Sequence, residues 1–107
     1  MASPITVVTG ANSGIGRATA VHLAAKGHIV YGTVRSIPKA DKLQAMAADA
    51  GVTIELAELD VADGDSVRHG FDDIMNRAGR VDNLVNNAGV GGNLSLIHIS
   101  EPTRHRR

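Results

Sequence analysis

The fold of this chain begins from one segment, Thr9-Gly10-Ala11-Asn12-Ser13-Gly14-Ile15-Gly16. Residues 5–8, just before it, are apolar and β-branched, which predicts a buried strand. Residues 14–26 are rich in alanine and predict a helix that Gly27 ends. The glycines therefore lie between a strand and a helix. Free N–H groups at the helix start, together with glycines that lack a Cβ, allow a phosphate to come close.

The spacing of these glycines narrows the kind of nucleotide site. They follow the pattern Gly-x-x-x-Gly-x-Gly, which differs from the Gly-x-Gly-x-x-Gly of the general dinucleotide fingerprint. No Gly-Lys-Ser/Thr follows, so the turn is not a P-loop. Asn12 and Ser13 can add side-chain donors. Taken alone, the turn is also compatible with a tight structural connection that binds nothing.

Strands and helices alternate along the rest of the chain. Three further strands are predicted at residues 29–34, 52–59 and 81–85. Pro38 is placed to open one helix, which Gly51 ends. Asp63 and Asp65 lie near the start of the next helix, where carboxylates suit the helix dipole, and Gly79 ends it. The order βαβαβαβ predicts an α/β fold, with a doubly wound parallel sheet and right-handed crossovers.

Composition limits the classes of function. Aromatic residues make up only 2% of the chain, so Val, Ile, Leu and Ala must form the core. Net charge is zero, and no basic surface before residue 94 favours nucleic acid. Cysteine is absent, and no apolar run approaches the roughly 18 residues that span a bilayer, so a cytoplasmic protein is expected. His22, His28 and His69 show no metal-ligand spacing, so we expect no metal site.

Three segments, each after a predicted strand, resemble the short-chain dehydrogenase/reductase family over residues 4–92. They are the glycine-rich turn, Asp60-Val61, and Asn86-Asn87-Ala88-Gly89. The resemblance implies a Rossmann-type fold, of which this chain holds the N-terminal half with strand order 3-2-1-4. It implies the following cofactor-binding residues: Gly10, Asn12, Ser13, Gly14, Ile15, Gly16, Asp60, Val61, Asn87, Ala88 and Gly89. The Asn-Asn-Ala-Gly motif argues against an epimerase-like relative.

Some of these residues also have a structural interpretation. Asp60 suits the N-cap of the following helix as well as a contact to adenine. Asn86 and Asn87 could tie neighbouring strands together through their side chains. These alternatives stay open at the level of the sequence.

The end of the second strand bears on which nicotinamide cofactor is bound. A carboxylate there would hold the ribose 2′-hydroxyl of NAD, but Val34 occupies that place and Arg35 follows it. A guanidinium suits a 2′-phosphate through paired, charge-assisted hydrogen bonds. We therefore expect NADP, with NAD as the alternative. Arg35 as a merely solvated charge is the competing interpretation.

The resemblance also implies chemistry whose residues this chain does not supply. The family transfers hydride between nicotinamide and a carbonyl/alcohol pair, with a tyrosine, a lysine four residues later, and a serine. The single tyrosine is Tyr31, and Arg35 lies four residues on. We assign no catalytic residue. We expect a parent NAD(P)-dependent oxidoreductase, as a homo-oligomer acting on a small molecule, and an inactive fragment. The alternative is a short NADP-binding sensor module without catalysis.

The last residues of the chain do not continue the resemblance to the family. Residues 94–104 resemble the translation of a transposase-type sequencing adapter. We therefore expect residues 1–93 to be a truncated NAD(P)-binding Rossmann domain and residues 94–107 to be a non-native tail, excluded from the fold. On that expectation the fourth strand is an exposed apolar edge, and the chain is poorly soluble.

Overall fold

A sheet with its first strand at the centre organises the computed structural model, which describes residues 3–87 and 96–98. The strands are β1 (Ile5–Thr9), β2 (Ile29–Val34), β3 (Ile54–Glu58), β4 (Asn83–Asn86) and β5 (Leu96–His98), in the order β3-β2-β1-β4-β5. The helices are α1 (Gly14–Ala25), α2 (Asp41–Ala50) and α3 (Gly64–Ala78). The first four strands are parallel, which confirms the predicted α/β fold class and the 3-2-1-4 order.

Side chains of alternate strand residues pack into two separate cores, one on each face of the sheet. Val8 and Val30 pack into the cluster that includes Leu43 of α2, while Val7 and Tyr31 pack into the cluster of α3. All five residues of β1 are buried. The sheet therefore lies between layers of helices. A strand that is covered on both faces is apolar along its whole length, which is the pattern that predicted β1.

Capping residues and glycines mark most of the helix ends, but one helix begins later than predicted. Ser13 caps α1 and Asp63 caps α3. Gly51 ends α2 in the left-handed conformation, with φ 72°. Pro38 lies in a separate 3₁₀ turn, Ile37–Lys39, and α2 begins only at Asp41. The turn gives the chain between β2 and α2 a defined backbone, which matters for the site.

The fourth strand begins two residues later than predicted, at Asn83. The carboxylate of Asp82 accepts a hydrogen bond from the backbone N–H of Ile5 at 2.7 Å, and the Asp82 N–H donates to the carbonyl oxygen of Ile5 at 2.8 Å. A side chain therefore replaces one rung of the ladder, and regular pairing starts after it.

The outer edge of β4 is paired, contrary to the expectation that it would be exposed. Residues 96–98 form β5, antiparallel to β4, with Leu84 opposite Ile97. The physical reason for this pairing is that unpaired N–H and C=O groups on a strand edge can form hydrogen bonds with any strand that reaches them. The rest of the predicted tail lies outside the described residues. In the part of the chain that the structure describes, no helix is long and apolar enough to cross a bilayer.

Candidate cofactor-binding groove

A groove of about 1070 Å³ opens where the four parallel strands end at their carboxyl sides. This is the edge at which open α/β sheets bind ligands. The groove is lined by Gly10, Asn12, Ser13, Gly14, Ile15, Thr33, Val34, Arg35, Ser36, Lys39, Leu59, Asp60, Val61, Ala62 and Asn87. The loops after β1, β2, β3 and β4 all contribute, so segments far apart in sequence share one cavity.

The glycine-rich turn forms one wall of the groove, and its backbone favours glycine at Gly10 and Gly16. Gly10 has φ 64°, a left-handed conformation that glycine adopts without strain. A Cβ on Gly16 would lie 2.6 Å from Nδ2 of Asn87 and closer still to the carbonyl oxygen of Gly10. A Cβ on Gly14 would meet no protein atom within 4 Å. Gly16 therefore allows close packing beneath the turn, while Gly14 leaves open space at the groove.

Ser13 organises the start of α1. Its Oγ donates to the carbonyl oxygen of Gly10 at 2.9 Å and accepts from the N–H of Gly16 at 3.4 Å. The first N–H groups of a helix have no intrahelical partners. Ser13 accepts a hydrogen bond from the N–H of Gly16. The N–H groups of Gly14 and Ile15, at the groove wall, remain available to an anion.

Asn87 joins the end of β4 to this turn. Its Nδ2 donates to the carbonyl oxygen of Gly10 at 3.2 Å and to Ser13 Oγ at 3.0 Å. The hydroxyl of Thr9 accepts from the N–H of Asn87 at 2.9 Å and donates to Oδ1 of Asn86 at 3.0 Å. Both asparagines thus tie neighbouring strands, and Asn87 also lines the groove.

Asp60 lies at the groove beyond β3, and it does not cap α3. Its Oδ1 accepts from the N–H of Ala62 at 3.0 Å, which forms a local turn. The N-cap of α3 is Asp63, whose Oδ1 accepts from the N–H groups of Asp65 and Ser66 at 3.0 and 3.4 Å. The N-cap interpretation of Asp60 is therefore wrong, because the helix begins three residues too late for it.

Arg35 and Lys39 give one end of the groove a positive charge. Both side chains are exposed, and neither forms an ion pair or hydrogen bond with another described residue. Lys39 was missed by sequence reasoning, as were the neighbouring Ser36 and the floor residues Thr33 and Leu59. The signal for Lys39 was a second cation four residues after Arg35, but its approach to the groove depends on the 3₁₀ turn, which periodicity does not predict.

The structure thus brings nine of the twelve residues predicted to bind the cofactor into the groove wall. Gly16 packs beneath the turn, and Ala88 and Gly89 lie outside the described residues. Among residues 3–87 no three histidine, cysteine or acidic side chains are arranged to hold a metal ion.

Tyr31 is buried in the core beneath α3 and does not line the groove. The guanidinium carbon of Arg77 lies 5.1 Å from the centre of its ring. Arg77 also forms ion pairs with Asp73 at 3.0 Å and Glu55 at 3.1 Å. The hydrogen bond to Asp73 contributes most to raising the pKa of Arg77 above its ordinary value. Tyr31 is therefore a core residue, and its ring contacts the arginine of a surface ion-pair cluster.

Comparisons with known proteins show the family to which the chain belongs. A family model described as short chain dehydrogenase matches residues 4–106. An uncharacterised oxidoreductase of Myxococcus xanthus is 43% identical over 86 residues, which cover 80% of this chain and 34% of that protein. The chain spans about a third of the length of the curated relatives it matches.

Solved structures show the same fold. A metagenomic short-chain oxidoreductase in complex with NADP superimposes with a TM-score of 0.73 at 36% identity, covering 82% of this chain and 40% of that one. An actinorhodin polyketide ketoreductase variant with NADPH gives a TM-score of 0.74 at 33% identity, covering 82% of this chain and 35% of that one.

Proposed function

The chain belongs to the short chain dehydrogenase family, and on that premise we propose that it is the N-terminal, NADP-binding part of a longer oxidoreductase. One observation carries the proposal. The glycine-rich turn, Arg35, Asp60 and Asn87 line a single groove at the carboxyl edge of the sheet. Each was predicted from a separate segment, and a purely structural turn would not gather the other three around it.

The residues present fit the phosphates of the cofactor. At Gly14 a Cβ would meet nothing, so the backbone leaves room for a pyrophosphate at the start of α1. The helix dipole and free N–H groups favour an anion there. Ser13, held by Asn87 and Gly10, keeps the turn in shape before a ligand arrives.

The adenosine end would lie between β2 and β3. Asp60 has one carboxylate oxygen engaged by Ala62, which leaves the other for the adenine amino group. Val61 is 39% exposed, which is unusual for a valine and suits the face of a base. Arg35 has no protein partner among the described residues, so its guanidinium is available to the 2′-phosphate.

Bound NADP(H) would supply hydride exchange with a carbonyl/alcohol substrate. The residues of this chain would bind and orient the cofactor. Because Tyr31 is buried under Arg77, away from the groove, we infer that proton transfer belongs to residues beyond the described part. A homo-oligomeric, cytoplasmic enzyme remains our expectation from the sequence.

Calorimetric titration of the complete protein with NADP and NAD tests the proposal. We expect tighter binding of NADP, and Arg35→Ala to weaken it by about tenfold or more with little change for NAD, since the paired charge-assisted hydrogen bonds to the 2′-phosphate are lost. Arg68→Ala is the matched control, because Arg68 is an exposed arginine that pairs with Asp65 and does not line the groove. Tighter binding of NAD by the wild type would refute the NADP assignment.

A second candidate is an NADP-binding module that never catalyses. It is favoured by the groove being assembled within residues 10–87, with no tyrosine in its wall. This candidate predicts that the 107-residue chain is soluble, stable and binds NADP tightly. The oxidoreductase proposal instead requires that the uninterrupted gene encode a serine and a Tyr-x-x-x-Lys motif after Asn93. Turnover by the purified 107-residue chain would contradict both.

A further inference from the structure

Among the described strands, β3 lies at one edge of the sheet, on the side away from β4. The N–H of Leu59, directly after β3, donates to the carbonyl oxygen of Val34 in β2 at 2.9 Å. Successive residues of a strand direct their N–H and C=O groups to opposite sides. The backbone groups of Ile54, Leu56 and Glu58 therefore point away from β2. Groups of this kind can pair with the strand of another molecule.

Arg77 of α3 closes the middle of this edge. Its Nη1 donates to the carbonyl oxygen of Leu56 at 2.8 Å. The same guanidinium forms ion pairs with Asp73 at 3.0 Å and with Glu55 at 3.1 Å. Its carbon atom lies 5.1 Å from the centre of the Tyr31 ring, so the side chain passes from the α3 face of the sheet to the edge. A guanidinium has five donors in one plane, and it can therefore bind two carboxylates and a carbonyl oxygen together.

The end of the edge beyond Leu56 is covered by the helix itself. A Cβ on Gly70 would lie 3.1 Å from the carbonyl oxygen of Glu58, so α3 packs closely against that group. A groove of about 570 Å³ lies beside the edge, and Leu56, Glu58 and Arg77 all contribute to its wall. The edge is thus accessible from this groove, and a strand that entered it would first have to displace Arg77.

The sequence of β3 is suited to pairing with a second copy of itself. Two copies related by a twofold axis at Leu56 would lie antiparallel, and their Leu56 residues would exchange backbone hydrogen bonds. The opposed pairs are then Leu56 with Leu56, Ile54 with Glu58, and Glu55 with Ala57. No two like charges are directly opposite. The two Glu55 carboxylates would be diagonal neighbours and are exposed, so salt weakens their repulsion.

We propose that the β3 edge is a self-association surface whose partner is a second copy of this chain, and that Arg77 keeps it closed. Pairing at Leu56 requires that the guanidinium give up a charge-assisted hydrogen bond and its ion pairs with Asp73 and Glu55. In the wild type the edge therefore stays unpaired. Loss of the guanidinium frees the carbonyl oxygen of Leu56 for a strand. The inference does not depend on which cofactor is bound.

Sedimentation velocity of the complete protein tests this, with wild type, Arg77→Met and Arg77→Met/Leu56→Lys over one concentration series. Methionine keeps an apolar side chain near Tyr31 and removes the donors. We expect the self-association constant of Arg77→Met to exceed that of the wild type by about tenfold or more, since the competing bonds to a charged group are lost. Hydrogen exchange at the Leu56 amide of this variant should slow as its concentration rises. Adding Leu56→Lys places two lysines opposite each other, so the wild-type mass should return.

Arg68→Met is the matched control, because Arg68 is an exposed arginine of the same helix that pairs with Asp65. It should keep the wild-type mass. A second variant, Asp73→Ala/Glu55→Ala, changes only exposed side chains and releases Arg77 from both carboxylates. It should raise the self-association constant by a smaller factor, and it tests the inference even if Arg77→Met fails to fold.

A folded Arg77→Met with the mass of the wild type would overturn the inference. So would association that survives Leu56→Lys or that leaves exchange at the Leu56 amide unchanged, because the contact would then lie elsewhere. Equal association of Arg68→Met would also overturn it, by showing that loss of any arginine from α3 is enough. If Arg77→Met does not fold, an unchanged mass for Asp73→Ala/Glu55→Ala decides against the inference.

Discussion

Replacing Gly16 with alanine should damage the structure beneath the groove. The new methyl group would lie 2.6 Å from Asn87 Nδ2 and closer still to the carbonyl oxygen of Gly10, which is backbone. The start of α1 would have to move away from β1, at the expense of the Asn87 hydrogen bonds to Gly10 and Ser13. Overpacking and lost hydrogen bonds together should lower the free energy of unfolding by about 2–4 kcal/mol.

Urea unfolding followed by circular dichroism measures this change, and Gly14→Ala is the matched control. A Cβ on Gly14 meets nothing within 4 Å, and alanine is a better helix former, so stability should hold or rise by up to about 1 kcal/mol. Because Gly14 lines the groove, that variant should nevertheless lose NADP affinity. If Gly16→Ala unfolds within about 0.5 kcal/mol of the wild type, the close packing we describe is not the reason for glycine at that position.

Three further predictions concern other parts of the molecule. Asp63→Ala should lower the unfolding free energy by about 1 kcal/mol through loss of the α3 cap, whereas Asp72→Ala, on the exposed side of α3, should change it little in the same urea assay. Arg77→Met should lower the unfolding free energy equally at pH 6 and pH 9. The pKa of Arg77 is raised in the folded protein, so its contribution is fully present at any pH below the pKa of the unfolded chain, and both pH values lie below it; a destabilisation that fades by pH 9 would contradict this. Ile97→Pro should remove a donor from β5, and light scattering should then report an increase in mass through association at the freed β4 edge; a mass equal to that of the wild type would show that β5 does not protect this edge.

The parts of the fold that were predictable are those where burial is continuous or a special residue marks an end. The buried run of β1 and the glycines at 27, 51 and 79 each carry a local physical signal. The late start of β4 was not predictable, because it depends on the side chain of Asp82 reaching Ile5, which is distant in sequence. The antiparallel β5 was missed for the same reason, since pairing depends on which edge is open.

For the site, the sequence identified the segments that line the groove, but it did not decide the role of every residue in them. Gly10 and Gly14 have spacing that carries information by itself. Asp60 had two interpretations, and only the position of the first turn of α3 excluded one of them. Sequence reasoning could not place Lys39 at the groove, because the 3₁₀ turn that carries it is held by hydrogen bonds with Asn12 of the glycine-rich turn and with Glu58 of β3.

The hydrogen bond from Asn87 to Gly10 spans 77 residues of sequence, and this has a consequence for synthesis on the ribosome. The strands β1, β2 and β3 can pair as soon as they emerge, but one edge of β1 stays open until β4 has been made. The wall of the groove that Asn87 forms is therefore the last to appear. A nascent chain that pauses before Asn87 would display the glycine-rich turn without the amide that braces it, so cofactor capture should mark the moment when the fourth strand has docked.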